Sequence, residues 1–133
     1  MTPGDVVQVL DTLEAAEVRA WVEGGWGIDA LVGNQTRDHE DLDLAVDVGR
    51  EGFGRAVAAL AVIGYRRGRD DRPVRLVVDA EDGRSVDLYP IRFQSDGAAI
   101  QAGDDRESHY QADGLTIGRN DGRTVHCMTA AIH

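Results

Sequence analysis

The chain has 133 residues, enough for one domain with a real core, and its 42% hydrophobic content is that of an ordinary globular protein. Its formal net charge of −10, with no basic stripe, argues against nucleic acid as a partner, and no apolar run reaches membrane-spanning length. A single cysteine, Cys127, allows no internal disulfide; with no signal peptide in view, a cytoplasmic protein is expected.

Thr2-Pro3 reads as an N-cap followed by proline at the first helical position. Val6, Val7, Leu10, Leu13 and Ala16 then recur at helical spacing, so a helix is expected from about Pro3 to Glu17. Trp21 to Glu23 reads as a short strand, Gly25 to Val32 as a helix ended by Gly33-Asn34, and Gln35 to Glu40 as a polar loop. Asp41 to Val46 alternates like a strand, and Glu51 to Ile63 carries Phe53, Val57, Leu60 and Ala61 on one helical side. Tyr65 to Arg69, Val74 to Asp79 and Ser85 to Phe93 follow as strands joined by tight connections. Shorter strands are expected at Ala98 to Gln101, Leu115 to Gly118 and Thr124 to Met128, and His109-Tyr110 is assigned to a loop. The whole reads as one domain over residues 1–133. Thr129 to His133 resembles the cap and first turn of a helix without a body, which predicts uncovered apolar surface near Val125, Met128 and Ile132 and, through it, a homodimer.

The chemistry is concentrated between Trp21 and Val46, in WVEGGWGIDALVGNQTRDHEDLDLAV. In a strand, residues two apart share a face, so Asp41 and Asp43 project together while Leu42, Leu44 and Val46 point into a core. Two such carboxylates repel each other unless a cation lies between them, and oxygen ligands suit Mg²⁺. The glycines Gly24-Gly25 let backbone approach a ligand, and a helix N-terminus just after them offers free N–H groups to phosphate. A third carboxylate, Asp87, lies in a later strand with the same alternation. Each feature alone has an ordinary explanation, a turn or a solvated acidic pair. Together they point to metal-dependent nucleotide chemistry, with Asp41, Asp43 and Asp87 as metal ligands and catalytic carboxylates.

The run GGWGIDALVGNQTRDHEDLDLAV resembles the signature of the small antibiotic nucleotidyltransferases, namely the lincosamide nucleotidyltransferases and the aminoglycoside 2″-adenylyltransferases. The matching residues are Gly24-Gly25-Trp26, Ile28-Asp29, Thr36-Arg37, His39 and Asp41-Leu42-Asp43. Val86-Asp87-Leu88-Tyr89-Pro90 is similar to the family's third-carboxylate strand, and Gly122 to Cys127 is similar to the lincosamide branch. The resemblance implies an α+β nucleotidyltransferase fold, a mixed twisted sheet with helices packed on it. It also implies transfer of AMP from ATP, with Mg²⁺, to a hydroxyl of a small-molecule antibiotic. Two departures stand out: Trp26 replaces the serine of the wider superfamily, and the family continues past the position of His133 with a further C-terminal helix.

The residues fit a two-metal in-line displacement in which Asp87 is both ligand and general base. Gly24, Gly25, Trp26, Arg37 and His39 are assigned to the nucleotide, with the Gly24-Gly25 backbone, Arg37 and His39 as donors to the leaving pyrophosphate. Core packing is the competing role for Trp26, a surface ion pair for Arg37, a backbone contact for His39 and solvation for Glu23. The expected acceptor is a cationic antibiotic drawn toward carboxylates such as Glu23, Glu40, Asp104 and Asp105. The competing functions are a non-catalytic nucleotide-binding remnant and a protein-modifying minimal nucleotidyltransferase of a toxin–antitoxin pair.

Overall fold

A computed structural model describes residues 1–33, 41–103, 107–110 and 115–128. Its helices are α1 (Pro3–Ala15), α2 (Gly24–Val32) and α3 (Gly52–Val62), the last preceded by a 3₁₀ turn at Gly49–Glu51. The strands are β1 (Ala20–Glu23), β2 (Asp41–Asp47), β3 (Arg66–Asp71), β4 (Arg75–Asp79), β5 (Ser85–Phe93), β6 (Ala99–Gln101), β7 (Ser108–Tyr110), β8 (Leu115–Asn120) and β9 (Arg123–Met128). Helix α1 starts as its sequence requires: Thr2 Oγ1 accepts from the Asp5 amide at 3.1 Å and Asp5 Oδ2 accepts from the Thr2 amide at 2.8 Å. Helix α2 ends at Gly33, whose φ of 93° suits only glycine without strain.

The strands form one mixed sheet in the order β3-β4-β5-β2-β1-β9-β8, with β6 and β7 attached to the far end of β5. At its centre β2 runs parallel to β5 and antiparallel to β1, so one row across the sheet reads Glu23–Asp43–Asp87. The alternation expected for these strands holds. Leu42, Leu44, Val86 and Leu88 have no solvent exposure and pack with Val6, Val9, Leu13, Trp26, Ala56 and Leu60 of the helices. The opposite face carries the carboxylates and a smaller apolar cluster of Trp21, Ala45, Ile91, Ala99, Tyr110 and Met128. One face is therefore closed by helices, and the acids stand on the other.

Edge strand β3, RRGRDD, is almost wholly exposed. Its charges pair locally, Arg69 with Asp71 at 2.6 Å and Asp70 with Arg72 at 2.7 Å, which blunts the edge against pairing with other chains. The β8–β9 hairpin is tied to α1 by Arg123, which reaches Asp11 at 2.6 Å and Glu14 at 2.7 Å. Among the described residues, no helix is long and apolar enough to cross a membrane.

Two expectations are corrected. His109-Tyr110 lies in a strand, β7, paired with β6, because Tyr110 adds its ring to the smaller apolar cluster. Val125 and Met128 are buried, 1% and 6% exposed, packed into the two clusters through β9. The uncovered surface from which a homodimer was expected is thus absent at those two residues; Ile132 lies outside the described residues.

Buried and exposed apolar positions give a direct contrast in stability. Leu44→Ala, in the helix-covered core, is expected to destabilise the protein by about 2–5 kcal/mol. Val62→Ala, at a position 86% exposed, should change stability by less than about 0.5 kcal/mol. Urea denaturation of both variants checks this assignment.

Candidate active site

The site begins where β1 turns into α2. Gly24 has φ of 60°, and a Cβ there would overlap Asp43 Oδ2, so both the backbone conformation and the space require glycine. The turn brings the first amides of α2, those of Gly24, Gly25 and Trp26, to the end of the sheet where Asp43 stands. Amides in a first helical turn have no intrahelical acceptor and, with the helix dipole, favour an anion. The Trp26 side chain is elsewhere: it is 2% exposed and packs in the helix-covered core. This is the core-packing role set against nucleotide binding in the sequence.

Asp41 and Asp43 share the open face of β2, and Asp87 lies directly across from Asp43 on β5. Asp41 is the most exposed of the three and accepts from the Ser85 hydroxyl at 2.7 Å. Burial, then the Asp41 charge, raises the pKa of Asp43, against the pull of Arg75. Burial, then Asp43 and Asp41, pushes Asp87 up to about 6, again opposed by Arg75. The Arg75 guanidinium lies 3.6 Å from Asp87 Oδ2 and also donates toward the Tyr89 hydroxyl. Arg75 was missed in the sequence. Its signal was present, since Arg75, Val77 and Asp79 alternate with the buried Leu76 and Val78 of β4.

Glu23 corrects another expectation. It is not a solvated strand residue: its Oε1 is withdrawn from water, and burial followed by the Asp43 charge pushes its pKa up to about 7, opposed by a hydrogen bond from Gln101. Arg37 and His39, assigned above to the nucleotide, lie outside the described residues, as do Glu40, Asp104 and Asp105.

The donor set fits a divalent cation. Three carboxyl groups with only oxygen ligands share one strand end, and burial, followed by their mutual repulsion, raises two of their pKa values. Among the described residues no three acidic, histidine or cysteine side chains stand close enough to hold a metal unaided. A divalent ion such as Mg²⁺ is commonly held by one or two carboxylates together with substrate phosphates.

These charges make stability depend on pH. A carboxyl whose pKa is raised by folding binds its proton more tightly in the native state, so its stabilisation is complete below the unfolded pKa and is lost as pH rises through the folded one. The windows run from 3.8 to about 6 for Asp87 and from 4.5 to about 7 for Glu23. Calorimetric melting of the metal-free protein is expected to give a lower Tm at pH 8 than at pH 5. Mg²⁺ with a non-hydrolysable ATP analogue should raise the Tm at pH 8. A Tm that climbs from pH 5 to pH 8 without metal contradicts the clustering of these acids.

Similarity to known proteins extends over the whole of this arrangement. Residues 5–133 match the aminoglycoside-2″-adenylyltransferase family. A lincosamide resistance protein of Staphylococcus haemolyticus is 32% identical over 102 residues, which is 77% of this chain and 62% of that relative's length. A 2″-aminoglycoside nucleotidyltransferase of Klebsiella pneumoniae is 40% identical over 45 residues, 34% of this chain and 25% of that protein. The lincomycin-bound structure of the lincosamide antibiotic adenylyltransferase LnuA superposes with a TM-score of 0.84 at 28% identity, covering 97% of this chain and 81% of LnuA. ANT(2″)-Ia in complex with adenylyl-2″-tobramycin superposes with a TM-score of 0.69 at 21% identity, over 96% of this chain and 68% of that one, and so shares the fold. With a nucleotidyltransferase sheet, a glycine turn and an acid row in register, this chain belongs to the aminoglycoside-2″-adenylyltransferase family.

Proposed function

We propose that this protein transfers AMP from ATP to a hydroxyl of a small, cationic antibiotic of the lincosamide or aminoglycoside kind. The observation that carries the reading is the register of β2 with β5, which sets Asp87 opposite Asp43 beside the N-terminus of α2. The likeness to LnuA, bound to lincomycin, supports a lincosamide acceptor first. The remnant reading is opposed by the intact acid trio, and the toxin–antitoxin reading by the match to the antibiotic-modifying family over residues 5–133. The reaction belongs to the cytoplasm, where ATP is available.

In this reading the triphosphate lies along the first turn of α2, where the Gly24 and Gly25 amides meet its oxygens. Asp41 and Asp43 are the residues that would hold Mg²⁺, with Asp87 completing the set on the acceptor side. When bound, the metal neutralises triphosphate charge and lowers the pKa of the acceptor hydroxyl. Asp87 accepts the proton of that hydroxyl as its oxygen bonds to the α-phosphorus. The bond from phosphorus to the pyrophosphate oxygen breaks, and pyrophosphate leaves. A base with a pKa of about 6 is ionised at neutral pH yet still basic enough to assist proton transfer. Arg75 restrains the charge of Asp87 until substrates arrive, and Arg37 and His39 remain the proposed donors to the departing pyrophosphate.

The roles of the acids separate by mutation. Asp43→Asn is expected to fold, since it removes a repelled charge, and to abolish transfer. Asp87→Asn should lose at least about 10²- to 10⁴-fold in turnover while still binding Mg²⁺ and an ATP analogue by calorimetry. Wild-type turnover in a folded Asp43→Asn variant refutes the site. A panel of lincosamides, aminoglycosides and oligonucleotides, incubated with ATP and Mg²⁺ and read by mass spectrometry, should show added AMP on a drug and none on an oligonucleotide. An adduct confined to oligonucleotide overturns the acceptor class.

A further inference from the structure

The acid row does not end at Asp43. One strand further along, Glu23 faces the same side of the sheet, paired in register with Asp43. Its Oε1 is buried and accepts no hydrogen bond. Beside it stands Gln101, brought in from β6 by pairing with Ile91 of β5. Gln101 is only 8% exposed, and its Oε1 is likewise buried and accepts no hydrogen bond. The Gln101 amide lies within hydrogen-bonding reach of the Glu23 carboxylate, and the Tyr110 hydroxyl lies within reach of its charge. Two buried oxygen acceptors, one on a carboxyl group, thus belong to neighbouring side chains that no described cation meets.

An unmet buried acceptor is costly, and a second carboxylate next door makes it more so. Fold stability gives no reason for this arrangement, because Leu or Met at either position would pack without that cost. The missing element is a positively charged N–H donor. An arginine side chain already serves the other end of the row, where Arg75 meets Asp87, but no described cation serves this end. Trp21, Ala45 and Ile91, on the same face, are buried in the smaller apolar cluster, so the pair lies against apolar packing.

We propose that the Glu23 carboxylate and the Gln101 amide oxygen form a dry seat for an ammonium group of the acceptor, so that these two residues select amine-bearing drugs. The proposal rests on the adenylyl-transfer reading for the identity of the acceptor. The seat differs from a general attraction of cations to an acidic rim, because it holds one amine at a fixed place. Glu23 and Asp87 are two strands apart in one row, about 10 Å at the usual interstrand spacing. A drug seated at Glu23 presents to Asp87 a hydroxyl at roughly that distance from its amine. Glu23 and Gln101 would therefore determine which hydroxyl is modified as well as which drug binds.

The test compares wild type with Glu23→Gln, which keeps shape and removes charge. Lincomycin and its N-demethyl-N-acyl derivative, and tobramycin and its per-N-acylated derivative, serve as charged and uncharged probes. Wild type should favour the amine over its acylated derivative. In Glu23→Gln the KM for the amine should rise about 10- to 100-fold and that preference should collapse, while kcat and the KM for ATP stay within about threefold. A purely structural role for Glu23 would move kcat and both KM values together. Calorimetric binding of the drugs without ATP separates the two ideas. Drug binding that depends on Glu23, without AMP transfer, upholds the seat and removes the function. A folded Glu23→Gln variant that binds the amine as tightly as wild type overturns the seat, as does a wild type that binds neither amine. Should Glu23→Gln fail to fold by circular dichroism, Gln101→Met must weaken amine binding in the same way, and unchanged binding there overturns the proposal.

Discussion

Electrostatic repulsion within one row of carboxylates is the constraint on which the rest of this structure depends. Glu23, Asp43 and Asp87 stand side by side on three neighbouring strands, with Asp41 two residues before Asp43 on the same face. Left to themselves these groups would separate or take up protons, and burial with mutual charge does push Asp87 up to about 6 and Glu23 up to about 7. The fold holds them together by making their backbone the centre of the sheet. Leu42, Leu44, Val86 and Leu88 alternate with the acids and are fully buried, so the strands cannot slip register without turning these side chains to water. Hydrophobic packing on one face fixes unfavourable charge on the other.

The two faces consequently have different duties. Helices α1, α2 and α3 cover the apolar face, and α2 also delivers its N-terminus to the edge of the acid row. The glycine at that junction is required twice over, by its positive φ and by the nearness of Asp43. A phosphate bound there would face helix amides on one side and a cation held by the acids on the other. At one end of the row Arg75 tempers the charge; at the other, Glu23 and Gln101 present unmet acceptors.

Much of this was legible in the chain because it is local. The D-x-D alternation, the double glycine before a helical segment and the capping of α1 at Thr2 each depend on neighbours within a few residues. The later acid Asp87 could be matched to Asp41 and Asp43 only by its own alternation and by family resemblance, since its register with Asp43 is set by pairing across 44 residues of chain. What escaped was non-local. Gln101 reaches Glu23 only because β6 folds back on the end of β5, and a three-residue strand carries too little pattern to announce that. Strand β7 was missed for the same reason. Glu23 was misjudged although Trp21 and Glu23 alternate around buried Val22, because a four-residue strand does not reveal which side is covered. Val125 and Met128 were expected to be uncovered, yet β9 slots between β1 and β8 and buries them.

The central claim is that Asp41, Asp43 and Asp87, facing the N-terminus of α2, hold a metal–triphosphate complex. The most direct test is anomalous diffraction from crystals grown with Mn²⁺ and a non-hydrolysable ATP analogue. The account predicts an anomalous peak bridging Asp43 and nucleotide phosphate, with the phosphates against the Gly24 and Gly25 amides. Nucleotide bound with its phosphates away from α2, or at that turn with no metal at Asp43, would contradict it.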